Sequence, residues 1–392
     1  MPSIGILMMD NIGGEDDEFW ARGITEDLIV KIAGAGLVRV PTIEEITGVS
    51  SISNYNSIAK KLRVKYLLTS SIHKKESGFD LRCQLIEVES GVSKYANKWS
   101  EPLKNSPRIV GNLADDILKI LKISSKQDIT AVPTHNTEAY EYYLKAKYKY
   151  KNSENREDVE IAIGLFRKAI ELDDNLIIAK IDLSNAYFET FETDNYNKAI
   201  EFAILSLKQA EELDDKSGIV GILESLGIFY WFQGDYDNSL SYLTRSIKIY
   251  EELGDKNGMA NYIGLIGFTY YSKGDYENAL VYYEKELELL EELNDKFLKT
   301  LTLLSYDRLY INSGNYNKAL EYNTRTFNLF EELSPKEEYE WLLLEIKVSQ
   351  FLSYKYLGRE YDSEEIRSLI KLEENLEDIF YELNYYIYQV IE

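Results

Sequence analysis

A 40-residue repeat constrains the fold of this 392-residue chain more than any other feature of its sequence. A short break that ends in tyrosine recurs four times, and a Glu-Glu-Leu marker keeps the same step, starting at residues 211, 251, 291 and 331. A fixed period of this length is typical of solenoids, in which each repeat packs against its neighbours. The four break tyrosines are Tyr196, Tyr236, Tyr276 and Tyr316.

Each period is predicted to fold as two helices. Three of the breaks read Gly-Asp-Tyr or Gly-Asn-Tyr, in which glycine can take a positive φ after one helix and Asp or Asn can cap the next. After the break, apolar and small residues recur at helical spacing, and the Glu-Glu-Leu segment then closes that helix. In the third period the spaced residues are Tyr276, Ala279, Leu280, Tyr283, Leu287 and Leu290.

These periods resemble the tetratricopeptide repeat. The usual repeat has about 34 residues, and the longer version here is similar to a subclass with longer helices found in signalling scaffolds. Asp307 stands where the pattern has glycine and Ser239 where it has alanine, so looser local packing is expected at both positions. The resemblance rests on Leu226, Gly227, Tyr230, Gly234 and Tyr236, and equally on Gly267, Tyr270, Gly274, Tyr276 and Ala279.

The resemblance implies an all-α right-handed TPR solenoid of about five to six helical hairpins over residues 136–392. The first hairpin is predicted over 136–151 and 158–172, ahead of the clear repeats. After Glu331 the period slips, and a helix over about 335–357 is followed by one or two more helices. These last helices are expected to cap the apolar end of the solenoid.

Residues 1–125 are predicted to form an α/β domain, which a linker at 126–135 joins to the solenoid. Apolar runs and alternating runs indicate strands, and wider spacing of apolar residues indicates helices. The order is β-α-β-α-β-β-β-α, which is typical of a compact α/β domain. The segments are 3–9, 15–33, 38–41, 58–62, 64–72, 81–87, 93–99 and 109–120.

This first part is similar to the N-terminal-type domain of the Tol translocation protein TolB, as that domain recurs inside bacterial signalling proteins. There it lies between an effector, such as an adenylate cyclase, a winged helix or a kinase, and a run of tetratricopeptide repeats. The resemblance covers about residues 3–122 and supplies no catalytic residues. Its most specific piece is Gly23-Ile24-Thr25-Glu26-Asp27-Leu28, and 66–72, 84–87 and Gly91 follow in the same order.

The net negative charge of the chain falls entirely on its second part. Residues 1–130 contain 17 basic and 17 acidic residues, so the whole formal net charge of −23 falls on residues 131–392. Nucleic acid and anionic membrane surfaces would be repelled by such a surface, whereas a basic peptide would be attracted. The alternative is that these glutamates only solvate the outer faces of helices.

A cytoplasmic location is predicted from three absences in the sequence. Cys83 is the only cysteine, so no disulfide can form within the chain. No apolar run approaches the roughly 20 residues of a membrane span. The N-terminus lacks the basic start and small-residue cleavage site of a signal peptide.

No catalytic, cofactor-binding or metal-binding residue is predicted, so the chain is not expected to be an enzyme. His73, His135 and Cys83 do not have the spacing of a metal site, and the two histidines are expected at the surface. Neither of the early glycine pairs, at 13–14 and 34–36, matches a phosphate-binding loop. Cys83 lies on an alternating strand and is predicted to be a core residue.

A peptide-binding groove is predicted along the first helix of each hairpin, which lines the concave side in this fold. Aromatic rings there would supply contact area for a peptide, and the amide side chains could form hydrogen bonds with its extended backbone. The alternative is that several of the rings pack between helices. The predicted groove residues are Asn185, Phe188, Glu224, Ile228, Trp231, Phe232, Asn261, Phe268, Tyr271, Arg308 and Asn312.

Three hypotheses for function remain open on the sequence. The first is a non-enzymatic protein-protein interaction module of a bacterial signalling protein, whose groove binds a peptide or protein segment. The second is the regulatory fragment of a nucleotide cyclase or kinase, suggested by the order of the parts and by a strand that begins almost at the first residue. The third is a structural scaffold that self-associates through tyrosine-rich surfaces.

Overall fold

The computed structural model describes residues 2–35, 38–50, 52–125, 128–190, 193–333 and 340–360. A small α/β region is followed by a long run of paired helices arranged as in tetratricopeptide-repeat solenoids, as predicted. The chain divides into two compact units, Met1–Tyr262 and Ile263–Glu392. The first unit therefore contains the α/β region together with the first helical hairpins.

A mixed sheet forms the centre of the α/β region. Strands β1 and β2 both pair parallel with β3. Strand β4 pairs antiparallel with β3, and β5 pairs antiparallel with β4. The strand order is therefore β1-β3-β4-β5, with β2 also beside β3. The alternating pattern predicted over 81–87 places buried Leu81, Cys83 and Leu85 on one face of β4. The strands are Ile4–Ile6, Asp10–Asn11, Tyr66–Lys75, Gly78–Glu87 and Val92–Pro102.

Helix α1, Glu18–Gly34, packs its apolar face against this sheet. Its predicted apolar residues include Phe19, Trp20 and Ile24, and each is at most 5% exposed. Helix α4 packs beside it, through Leu113 and Ile117 among others. The helices of the α/β region are α1, Glu18–Gly34, α2, Ile43–Thr47, α3, Tyr55–Leu62, and α4, Ile109–Leu121.

Two sequence predictions for this region are corrected by the structure. The strand predicted over 38–41 is a single bridge between Ser3 and Arg39, because one residue of this segment pairs with the sheet edge. The strand predicted over 3–9 is shortened to β1 at Ile4–Ile6, and the short strand β2 at Asp10–Asn11, which was not predicted, follows after residues 7–9. The remaining predicted strands and helices are present with small shifts at their ends.

Helices α5 to α15 form the helical array. In the described residues they make five successive hairpins, and α15 begins after the fifth; the helices expected beyond residue 360 and the residues 334–339 lie outside the described part of the chain. The helices are Thr137–Lys151, Arg156–Leu172, Ile177–Glu189, Thr193–Glu212, Lys216–Phe232, Tyr236–Leu253, Lys256–Ser272, Tyr276–Leu293, Lys296–Asn312, Tyr316–Glu331 and Glu340–Tyr356.

The breaks within the repeats have the geometry that the sequence predicts. The break glycines Gly234, Gly274 and Gly314 have φ of 76°, 81° and 74°, which a residue with a side chain rarely adopts. The Asp or Asn after each glycine accepts a hydrogen bond from the backbone three residues on, as in the bond from Asn238 N to Asp235. Each break therefore ends one helix and caps the next.

The α/β region and the first hairpin share one hydrophobic core. Trp20 of α1 is fully buried, and its ring lies 6.0 Å from that of Tyr140 in α5. Gly23 allows α1 to approach closely, because a Cβ there would lie 2.7 Å from Leu144 Cδ2. Lys147 Nζ of α5 lies 2.7 Å from an Asp27 carboxylate oxygen of α1, which adds an ion pair to the apolar contact.

Small residues in the array make room for large residues across each hairpin. A Cβ at Gly227 would lie 2.5 Å from Leu243, and one at Gly267 would lie 2.7 Å from Tyr283. At the next position in this series the looser packing expected around Asp307 is not found. Asp307 is fully buried, and Asn323 stands opposite it in place of the large apolar side chain.

Candidate protein-binding surface

In the first unit, an amide of the predicted groove joins two first helices of neighbouring hairpins. Asn185 lies in α7 and is half-buried, and its Oδ1 accepts a hydrogen bond of 2.9 Å from Ser225 Oγ of α9. The two residues stand 40 positions apart, which is one period of the repeat. The bond leaves the amide NH₂ of Asn185 as the group that could bond a ligand.

Three predicted aromatic residues meet at the C-terminal ends of α7 and α9, and we call Phe188, Trp231 and Phe232 the aromatic cluster. The ring of Phe232 lies 5.2 Å from that of Phe188 and 4.8 Å from that of Trp231, and both pairs meet edge to face. Such geometry is favourable between aromatic quadrupoles. The three rings therefore pack as one continuous apolar group.

The members of the aromatic cluster differ in exposure. Phe188 is buried, because it stacks on Phe229 at 4.4 Å and contacts Tyr196 at 4.6 Å. Trp231 is half-buried, whereas Phe232 is 55% exposed. Phe188 is thus the buried member of the cluster, and Phe232 is the member most exposed to solvent.

Glu224 is engaged inside the first unit. Its carboxylate accepts a hydrogen bond from the Tyr250 hydroxyl of α10, and the Tyr262 hydroxyl of α11 also faces it. Burial raises the pKa of Glu224 to about 7, although the bonds from the two tyrosines oppose the shift. The other predicted groove residues of this unit are Ile228, which is half-buried, and Asn261, which is exposed.

In the second unit, the predicted groove residues already have partners within the protein. Tyr271 stacks on Phe268 with 5.9 Å between ring centroids, and its hydroxyl accepts a hydrogen bond from Asn312 Nδ2. Arg308 Nη2 lies 2.6 Å from Glu345 Oε2 of α15, and the Glu345 side chain is almost fully buried. Arg308 therefore already neutralises an acid within this unit.

Sequence reasoning did not anticipate several partners of these residues. Tyr250 and Tyr262 hold Glu224, and Phe229 and Tyr196 hold Phe188. The signal for Tyr250 lies in Gly258, since a Cβ at this helical glycine would collide with the Tyr250 ring. A glycine inside a helix pattern marks a close approach, so it could have suggested a large neighbour.

Metal binding and nucleophilic chemistry were considered above for one cysteine and two histidines. Cys83 is buried, and burial raises the pKa of its thiol to about 11, which fits the predicted core role. His73 is half-buried on β3 and His135 is exposed ahead of α5. Among the described residues, no group of His, Cys, Asp and Glu could hold a metal ion. None of the described helices is long and apolar enough to span a bilayer.

Comparison with known families supports the assignment of the repeat. Residues 218–292 match the family model of the tetratricopeptide repeat. This segment runs from the start of α9 to the end of α12, and it contains Trp231, Phe232 and Glu224. A search among curated proteins finds no significant match to the chain.

Solved structures that resemble part of the chain share little sequence with it. BtubC (BKLC) from P. vanneervenii is 16% identical with a TM-score of 0.47, over 62% of this chain and 94% of that one. Aspartyl phosphate phosphatase F from Bacillus subtilis is 16% identical with a TM-score of 0.48, over 68% and 65%. TolB from Acinetobacter baumannii is 16% identical with a TM-score of 0.24, over 31% and 28%.

Proposed function

We propose that this chain is a non-enzymatic protein-protein interaction module of a bacterial signalling protein, and that its helical array binds a peptide or protein segment. The exposed ring of Phe232 carries this proposal. Large apolar side chains at a protein surface are ordinary when they stand alone, but Phe232 belongs to a cluster with Trp231 and Phe188. Aromatic anchors of this kind dominate the binding energy of many protein interfaces.

Two amides on first helices of the same unit suit a peptide backbone. The NH₂ of Asn185 can donate a hydrogen bond, and the exposed amide of Asn261 can donate and accept. The net charge of −23 on residues 131–392 favours a basic segment, because opposite charges speed the encounter. The proposed ligand is therefore a basic segment with an apolar side chain that packs on Phe232.

The experiment compares partner capture by the full chain and by single variants. The immobilised chain is offered a library of basic peptides that each contain one aromatic or aliphatic anchor, and retained peptides are quantified by mass spectrometry. Phe232→Ala should weaken retention about 30-fold, the size of a typical hot spot of about 2 kcal/mol. Asn261→Ala should weaken it less, since an exposed amide contributes a single hydrogen bond.

The matched control is Leu205→Ala on α8. Leu205 is 68% exposed and lies on the second helix of its hairpin, away from the predicted groove face. We expect this variant to retain peptides as the unchanged chain does. Equal retention by Phe232→Ala and Leu205→Ala, with unchanged melting temperatures, would count against the groove.

A further inference from the structure

The sheet of the α/β region has an open edge. Strand β5, Val92–Pro102, pairs with β4 on one side, and in the part of the chain that the structure describes no strand pairs with its other side. Most of its residues are exposed. An edge strand of this length presents a row of backbone donors and acceptors to which a further strand can bond.

The outer face of the sheet places two cations side by side at this edge. Arg82 of β4 and Lys98 of β5 are direct cross-strand partners, and both are exposed. Like charges opposite one another on a sheet are unfavourable. In the described residues neither side chain forms an ion pair, so an acid delivered beside Lys98 would relieve the repulsion.

Asp80 compensates this pair only in part. It lies two residues from Arg82 on β4 and attracts Lys98, but its carboxylate accepts hydrogen bonds from Lys75 and from Ser100 Oγ. Asp10 of β2 is in register with Ser71 of β3, so three strand spacings separate Asp10 from Lys98 along the same row. Strands in a sheet lie about 4.8 Å apart, so Asp10 stands roughly 14 Å from β5.

The inner face of β5 has the opposite character. Tyr95 and Trp99 are half-buried there and pack against the core, and the Tyr95 hydroxyl donates a bond of 2.7 Å to Asp116 of α4. Side chains of a strand alternate between the two faces. A strand beside β5 would thus place alternate residues next to aromatic rings and next to Lys98.

We propose that β5 binds an extended segment of another protein as an added strand, with acidic residues on the outer face and apolar residues on the inner face. Backbone bonds would supply the pairing, and the charge of Arg82 and Lys98 would select the acid. This site is separate from the aromatic cluster. It would allow the chain to hold two partners of opposite charge.

A second copy of this chain is a poor occupant of the same edge. In a twofold pairing of two β5 strands about the middle of the strand, Lys98 of one copy falls within two residues of Lys94 or Lys98 of the other. The two copies would add further like charges to a row that already holds Arg82. Lysine on an edge strand is a known protection against such self-pairing.

The test uses the full chain and a labelled probe peptide, Glu-Val-Glu-Ile-Glu-Val-Glu. Binding is followed by fluorescence polarisation, and hydrogen exchange reports the amides of β5. We expect saturable binding, slower exchange along β5, and at least tenfold weaker binding for Lys98→Glu. The matched control is Lys60→Glu, an exposed lysine on α3, which should leave the affinity unchanged. A second peptide with proline in place of isoleucine should bind at least tenfold more weakly, because proline cannot complete the ladder.

Several outcomes would overturn the proposal. They are absence of binding at millimolar peptide, equal affinity of Lys98→Glu and the unchanged chain, and equal affinity of the proline peptide. A doubled mass of the chain alone by light scattering, with β5 amides protected, would identify a second copy as the occupant instead. Circular dichroism of each variant confirms that the fold is retained.

Discussion

The carboxylate of Asp307 accepts a hydrogen bond of 2.9 Å from Asn323 Nδ2, although both side chains are buried in the helical array. Asn323 also donates to the Ile346 carbonyl at 2.7 Å, and Ser349 Oγ donates to the same Asp307 oxygen. These bonds join α13, α14 and α15. A polar pair has therefore replaced the glycine and large apolar residue found at the same positions of the two preceding repeats.

This exchange predicts a strong coupling between positions 307 and 323. Asp307→Gly should destabilise the chain by about 1–3 kcal/mol, because Asn323 and Ser349 lose their acceptor inside the core. Adding Asn323→Leu should recover a large part of that loss, since the pair then matches Gly227 and Leu243. Urea unfolding of the two single variants and the double variant measures the coupling. Additive free energies would show that the two positions act independently.

Stability should fall as pH rises through the neutral range. Burial raises the pKa of Glu286 to about 8 and that of Asp307 to about 7. Both values lie above those of an unfolded chain, which are near 4, so the unfolded state releases its protons first. The stabilisation is complete below about pH 4 and is lost as pH rises through about 8.

The contribution of Glu286 can be isolated by substitution. Glu286→Gln should reduce the loss of unfolding free energy between pH 6 and pH 9 by on the order of 2 kcal/mol. Glu288→Gln, at an exposed position of the same helix, should leave the pH dependence unchanged. Urea unfolding at both pH values measures the difference. If the unfolding free energy changes equally with pH in the unchanged chain and in both variants, the Glu286 carboxyl is not neutral in the folded state.

A glycine in α11 should resist replacement by alanine. A Cβ at Gly258 would collide with the ring of Tyr250, which must then leave its hydrogen bond to Glu224. We expect Gly258→Ala to lower the melting temperature in spite of the better helix propensity of alanine. Gly164→Ala is the matched control, because no atom lies within 4 Å of the added Cβ there. Gly164→Ala should stabilise the chain by up to about 1 kcal/mol. A similar gain for Gly258→Ala would show that Gly258 and the Tyr250 ring are not in close contact.

The ion pairs between α1 and α5 should contribute to stability. Lys147 is largely buried and contacts Asp27 at 2.7 Å and Glu26 at 3.3 Å. Lys147→Met leaves Asp27 without this cation, although Glu26 keeps its pair with Arg22 and Asp27 keeps the bond from the Tyr140 hydroxyl. The loss should cost about 3–5 kcal/mol. Lys168→Met removes an exposed pair with Glu171 and should cost at most about 1 kcal/mol. Equal losses in chemical unfolding would show that Lys147 is solvated.

Local features of the fold were predictable from the sequence, whereas contacts between distant segments were not. The break at Gly234 and the apolar face of α1 at Trp20 follow from local backbone preference and spacing. The pair of Asp27 and Lys147 joins residues 120 positions apart, and no period links them. The prediction of a strand at 38–41 was wrong, because a short apolar run does not determine how many of its residues will pair with the sheet.

The candidate site was predictable in part for the same reason. Spacing placed Trp231 and Phe232 on first helices, and the structure brings them together with Phe188. Spacing does not determine which ring is covered. Phe188 is buried because Phe229 and Tyr196 close over it, and these contacts depend on neighbouring helices.

The contact between Trp20 and Tyr140 also sets an order of events during synthesis. The indole is in place for burial only after α5 has been made, 120 residues later. At about 5–20 residues per second, the ribosome needs roughly 6–24 s to add that stretch. Through this interval the side of the indole that α5 later covers stays exposed in the nascent chain, although Phe79 packs against the ring earlier. The N-terminal region is therefore open to misassembly until the first hairpin emerges.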